Sequence, residues 1–230
     1  MNIEIREFHK GAEDARGFTV IIDVFRAFSL ACYAFDGGIS KYILAGSVDE
    51  AFKLKDQFPE AILVGERDER MIPGFELGNS PTQILTSDIK GKSIIHCTTA
   101  GTRGLSLAQG ASTIVTGSLV NAAAVARYAV KQKPGIISLV AMGYRGESRA
   151  DEDYICAMYI KSLLEGGTYS CEEPVNQLRT TSGARFFLKD NLSFSPPTDY
   201  YLCTMVDRFN FILAALKVPG GHIELIKVPV

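Results

Sequence analysis

The sequence predicts an α/β protein, a three-layer sandwich whose mostly parallel, mixed central sheet is flanked by helices. Three observations predict it. Short apolar, β-branched runs recur along the 230 residues, each closed by a polar or glycine-containing turn and followed by helical spacing. Strands alternating with helices in this way place helices on both faces of a sheet. A composition of 47% hydrophobic and 22% charged residues is that of a globular chain with a core to bury.

The elements follow in order. Ile3–Phe8 alternates as a strand does, and Phe18–Ile22 is a β-branched apolar run that stops at Asp23. Ala27–Phe35 reads as a helix closed by Gly37-Gly38. Lys41–Ala45 is a short strand, and Ser47-Val48-Asp49-Glu50 is a capping box opening a helix that reaches Phe58 before Pro59. Ala61–Val64 is a strand followed by a long loop, and Ser80-Pro81 suits a helix start with serine as cap and proline first. Further strands are expected at Ser93–Cys97, Ser112–Thr116 and Ile136–Ala141, and helices over Thr102–Ala108, Asn121–Lys131 and Asp151–Leu164. Beyond Gly166-Gly167 the pattern weakens: a helix across Asn176–Leu188, a loop at Ser195-Pro196-Pro197 and a strand near Ile223–Val228. No repeat or linker divides the chain, so residues 1–230 are read as one domain, with 167–230 as a possible C-terminal lobe.

Charge and cysteine usage narrow the function. A net charge of −2 gives no overall positive field, and no basic stripe or nucleic-acid motif is present, so neither nucleic acid nor a membrane surface is expected as partner. The N-terminal residues alternate charged and apolar, unlike a signal peptide, and no window approaches a membrane span. Five widely spaced cysteines without a Cys-x-x-Cys pair fit reduced thiols in a cytoplasmic protein. A homodimer is the assembly expected from base rates.

In open α/β sheets ligands bind beyond the carboxyl ends of the strands. Five predicted strands deliver chemistry there: Asp23 and Arg26; Glu66 and Arg67; Thr98, Thr99, Gly101, Thr102 and Arg103; Ser118; and Arg145 with Glu152 and Asp153 beyond it. The loop after Glu66 adds Asn79 and Ser80. Carboxylates hold Mg²⁺, arginines neutralise phosphate, and glycine or threonine turns offer backbone N–H groups. Asp23, Glu66 and Asp153 are therefore the expected catalytic residues, and with Glu152 the expected Mg²⁺ ligands. Arg26, Arg67 and Arg103 would hold the phosphate of a small anionic ester, and Arg145 a second anionic group. Each segment taken alone is also explicable as capping or as a solvated loop.

Two alternatives stay open. His96-Cys97 and Arg103 have the spacing of a cysteine-dependent phosphatase, in which a thiolate attacks phosphorus. A non-catalytic binder of phosphate- or sulfonate-bearing metabolites would keep the cradle without turnover. A haloacid-dehalogenase-type nucleophile is rejected, because Phe25 stands where its second aspartate belongs. Dinucleotide and Walker motifs are absent.

Assembled in order, these blocks resemble the 2-phosphosulfolactate phosphatase family. The blocks are Ile22-Asp23-Val24-Phe25-Arg26-Ala27; Gly65-Glu66-Arg67 with Gly74-Phe75 and Asn79-Ser80-Pro81; Thr98-Thr99 with Gly101-Thr102-Arg103; Gly117-Ser118-Leu119-Val120-Asn121; and Glu152-Asp153-Tyr154-Ile155-Cys156. The resemblance implies an α/β fold distinct from common phosphatases and Mg²⁺ dependence. It also implies a substrate bearing phosphate, sulfonate and carboxylate, in coenzyme M biosynthesis. The sequence departs from the family pattern at Phe25, at Phe28 where threonine is usual, and at Ala100 where asparagine is usual.

Overall fold

The computed structural model describes residues 1–219 and 221–230. Its strands are β1 (Asn2–Glu7), β2 (Gly17–Ile22), β3 (Lys41–Leu44), β4 (Ile62–Arg67), β5 (Arg70–Met71), β6 (Ser93–Cys97), β7 (Ala111–Gly117), β8 (Ile136–Ala141), β9 (Phe211–Lys217) and β10 (Ile223–Pro229). The helices are α1 (Phe8–Glu13), α2 (Ala27–Asp36), α3 (Val48–Gln57), α4 (Pro81–Thr86), α5 (Gly101–Leu107), α6 (Ala122–Gln132), α7 (Asp151–Leu164), α8 (Glu172–Leu178) and α9 (Pro197–Cys203). The strands form one mixed sheet in the order β1-β8-β2-β7-β9-β10-β3-β6-β4-β5.

The α/β sandwich expected from the sequence is the fold found. Alternation along each strand sends neighbouring side chains to opposite faces. Ile21, Tyr42, Leu44, Ile94 and Leu213 join one core with Phe28 and Leu30 of α2 and Leu105 of α5. Val20, Ile22 and Ile212 turn the other way, against α6 and α7. Ile43 and Ile95 pack against Ala51 and Leu54 of α3. The core under α2 therefore runs beneath both halves of the sheet.

Those halves differ in direction. Strands β1, β8, β2 and β7 are mutually parallel, as are β3, β6 and β4. Between them, β7–β9, β9–β10 and β10–β3 are all antiparallel, so the two parallel blocks run in opposite senses along the sheet. Twist resolves the conflict. At roughly 20–25° per step, the six steps from β2 to β4 accumulate about 120–150°, which turns the carboxyl ends of the two blocks toward each other.

Local chemistry sets the boundaries. Ser47 accepts from the Glu50 N–H and Ser80 from the Gln83 N–H, with Pro81 at the first helical position, as their capping patterns predict. Two stretches differ from expectation. The loop after β4 contains a hairpin: Arg67 pairs with Arg70 across Asp68 and Glu69, both at positive φ (52° and 68°), the geometry of a type I′ turn. The helix expected across Asn176–Leu188 breaks after Leu178 and resumes as a 3₁₀ segment, Ser182–Phe187. Thr180-Thr181-Ser182-Gly183 propagates a helix poorly. Gly183 also lies so close to the Tyr200 ring that a Cβ there would stand 2.7 Å from it. Helices α1 and α9 and strand β9 were not expected from the sequence.

Candidate active site

A pocket of about 320 Å³ opens where the carboxyl ends of the two parallel blocks meet. Asp23 stands one residue past β2, Glu66 lies within β4, and Glu152 and Asp153 occupy the first turn of α7. All four carboxylates line this pocket, and all are buried.

Backbone N–H groups aim them. Asp153 accepts from Val24 N–H through Oδ1 (2.7 Å) and from Gly143 N–H through Oδ2 (2.9 Å). Glu66 accepts from Thr99 N–H through Oε1 (2.8 Å) and Glu69 N–H through Oε2 (3.0 Å). Asp23 Oδ1 accepts from Ala27 N–H at 3.1 Å. Glu152 Oε2 is buried without a hydrogen-bond partner.

Crowding acids in a dry place raises their proton affinity. Burial pushes Asp23 up to about 7; the Ala27 N–H opposes the rise, and Glu66 and Glu152 add to it. Asp153 is driven well above the usual carboxylate range by burial, then by Asp23 and Glu152. Burial raises Glu152 too, with Arg185 opposing. Such a cluster favours taking up positive charge, as protons or as a cation.

The same lining supplies guanidinium groups. Arg26, Arg145, Arg149 and Arg185 line the pocket beside six carboxylates: the four above with Asp68 and Glu69 of the hairpin. Arg185 donates to Glu69 Oε1 (3.0 Å) and to the Phe25 carbonyl (3.2 Å). Arg145 forms an ion pair with Asp68 at the rim. Arg26, expected to bind phosphate, is largely committed within the protein. It donates to Phe194 O (2.6 Å), Asp199 Oδ2 (2.8 Å) and Glu69 O (3.2 Å).

The remaining expected residues divide. Asn79 and Thr99 line the pocket, and Asn79 Oδ1 is buried without a partner. Gly101 packs directly on Asp23: a Cβ there would stand 2.7 Å from Asp23 Oδ2. Ser80, Thr98, Thr102 and Ser118 lie outside the lining and serve local structure. Ser80 caps α4, Thr98 and Thr102 bond each other across the first turn of α5, and Ser118 forms a capping box with Asn121. Arg67 also lies outside the lining, its guanidinium directed at Thr99 Oγ1 (3.4 Å) and Cys97 Sγ (3.7 Å). Arg103 is exposed on α5 and outside the pocket, on the helix side opposite the buried Gly101, Thr102 and Leu105.

Cys97 is buried in the core against α3, away from the lining, and burial raises its thiol above the usual value. With Arg103 turned to solvent, the cysteine–arginine cradle is not assembled. The pocket residues the sequence did not reveal are Asp68, Glu69, Ser148, Arg149, Ala150, Ser182 and Arg185. Asp68 and Glu69 had a visible signal, an acidic pair beginning four residues past the predicted strand Ala61–Val64.

Among the described residues no three His, Cys, Asp or Glu side chains close into a ready metal cage. All-oxygen donors, raised proton affinities and the orphaned Glu152 oxygen nevertheless fit a hard divalent cation held by one or two carboxylates with water. No helix among the described residues is long and apolar enough to cross a membrane.

Fold and pocket are those of an α/β protein with an acidic, arginine-bearing cleft, and its relatives are named as phosphoric monoester hydrolases. A family model described as 2-phosphosulpholactate phosphatase matches residues 4–191, and the chain belongs to that family. Its curated relatives include a probable 2-phosphosulfolactate phosphatase of Bacillus subtilis, 32% identical over 93% of this chain and 93% of that protein. Proteins of the same name are 41% identical in Carboxydothermus hydrogenoformans, over 67% of this chain and 63% of that one, and 38% identical in Clostridium perfringens strain 13, over 78% and 76%.

Proposed function

We propose that this protein is a Mg²⁺-dependent phosphatase that hydrolyses 2-phosphosulfolactate to sulfolactate and phosphate. The observation that carries the metal requirement is the charge of the pocket, six carboxylates against four guanidinium groups. In their ionised form these acids repel a multiply anionic ester, and protons or a divalent cation relieve that repulsion; the EDTA arm of the test below separates the two. The substrate comes from the names of the relatives, and a rim of arginines suits its carboxylate and sulfonate.

One or two of Asp23, Glu66, Glu152 and Asp153 would hold the cation together with water, Glu152 through its unpartnered Oε2. When bound, Mg²⁺ supplies Lewis acidity toward the phosphoryl oxygens. Arg185, Arg149 and Arg145 bind the anionic groups of the ester, and Thr99 and Asn79 orient it. The free donors of Arg26 meet the charge that develops on phosphorus oxygens. Asp23 either takes the proton of the attacking water or attacks phosphorus itself, and hydroxylamine trapping of an acyl phosphate separates the two.

The test is phosphate release from 2-phosphosulfolactate and p-nitrophenyl phosphate with Mg²⁺ and with EDTA. The expected result is turnover of the first substrate that EDTA abolishes and Mg²⁺ restores. Full activity in EDTA would refute the metal requirement. Tight calorimetric binding of the ester without phosphate release would make the protein a binder instead.

A further inference from the structure

Asp199, in α9, lies beyond the residues the family model matches and outside the pocket lining, and it is completely buried. Its two oxygens face different parts of the chain. Oδ2 accepts from Arg26 Nη1 at 2.8 Å. Oδ1 accepts from the Ser80 hydroxyl (2.8 Å), the Thr82 N–H (2.9 Å) and the Thr82 hydroxyl (2.7 Å). Both sets of partners border the pocket: Arg26 lines it, and Ser80 follows Asn79, which lines it as well.

A guanidinium does not lose its proton in a protein, so Arg26, only 3% exposed, needs a compensating charge. Asp199 is that charge, and it does more than neutralise. With Phe194 O and Glu69 O it fixes three of the five guanidinium N–H bonds, which sets the direction of the two that remain. Through Ser80 and Thr82 the same carboxylate pins the start of α4, and with it the seat of Asn79.

We propose that Asp199 is a positioning residue for the reaction, presetting Arg26 and the Asn79–Ser80 turn from behind the pocket wall without touching substrate. The inference rests on the phosphatase reading above, and a double-mutant cycle with Arg26 tests it separately. Asp199→Asn preserves shape and removes the charge. Its kcat/KM for 2-phosphosulfolactate falls by about 30-fold, somewhat less than the roughly 100-fold of a full ångström's misplacement. In an Arg26→Met background the same substitution costs less than about twofold more, because asparagine keeps an amide oxygen for Ser80 and Thr82 and the guanidinium that felt the lost charge is gone.

Stability is followed alongside. Asp199→Asn leaves a buried guanidinium without its counter-charge and melts early, whereas Arg26→Met with Asp199→Asn removes that guanidinium, keeps an amide oxygen for Ser80 and Thr82, and recovers part of the loss. That double variant stays as slow as Arg26→Met alone. Equal losses in the two backgrounds would overturn the proposal. So would an Asp199→Asn protein that melts early yet keeps wild-type kcat/KM per folded molecule, since that is a purely structural role. A wild-type protein that neither binds nor hydrolyses the ester sinks both readings. An active wild type with an unaffected Asp199→Asn sinks only this one.

Discussion

Gly101 gives the most direct test of whether Asp23 works in this pocket. The glycine opens α5 with its Cα against the buried acid. In Gly101→Ala the new methyl would stand 2.7 Å from Asp23 Oδ2 and 3.2 Å from both Ala27 Cβ and Phe28 Cζ. Ordinary contact begins at 3.4 Å, so the carboxylate must retreat by about 0.7 Å, the difference between the two distances. It has little room to do so, because Oδ1 is tied to the Ala27 N–H and the residue is buried. Catalytic groups tolerate about 0.5 Å of error, and an ångström costs about 100-fold, so kcat/KM is expected to fall about 10- to 100-fold. Overpacking costs about 1–3 kcal/mol, and alanine's helix preference returns at most about 1 kcal/mol. The net cost is about 0–3 kcal/mol, and at about 2–4 °C per kcal/mol the melting temperature drops by up to about 12 °C. Steady-state phosphate release at saturating Mg²⁺ and calorimetric melting measure the two effects. Gly135→Ala is the control, since a Cβ there meets nothing within 4 Å. Wild-type kcat/KM in Gly101→Ala would remove Asp23 from the reaction.

Three further outcomes are expected. Burial raises Asp23 from 3.8 to about 7, so between those values the folded protein holds a proton that the unfolded chain has shed. Metal-free stability therefore declines as pH rises through this window and levels above it, and urea unfolding should show a shallower slope in Asp23→Asn. An identical slope in the variant would assign the linkage to another group. Asp153→Ala strips the Val24 and Gly143 N–H groups of their acceptor, costing about 2–4 kcal/mol by denaturant titration; an unchanged midpoint would contradict those bonds. Cys97→Ser should keep its turnover, the thiol being buried away from the pocket, and abolished phosphate release would revive thiolate attack.

Much of the sheet was legible because its strands are short β-branched runs with firm stops, and Ser93–Cys97 and Ile136–Ala141 match to the residue. Strand β9 escaped because Ala-Ala-Leu-Lys within Phe211–Lys217 carries helical preference, and only its place between β7 and β10 makes it extended. In the site, the acids were legible as the residues that end strands or begin α7. Sequence could not tell an arginine that faces a ligand from one spoken for within the protein. Arg26 is held by Asp199, 173 positions away, and Arg103 occupies the solvent side of its helix. Nor could it separate hydroxyls that cap helices, as at Ser80 and Ser118, from hydroxyls that meet substrate. Arg185 sits in a 3₁₀ turn with no periodic pattern to mark it.

The position of β9 and β10 has a consequence for biosynthesis. Ribosomes deliver both parallel blocks long before the two strands that join them, yet those strands occupy the centre of the sheet. The seam is narrow, two residue pairs with β7 on one side and three with β3 on the other. Until it closes, nothing in the sheet fixes the angle at which the half bearing Asp23 meets the half bearing Glu66. A nascent chain thus carries every acid of the pocket before it has the two strands that set the angle between them.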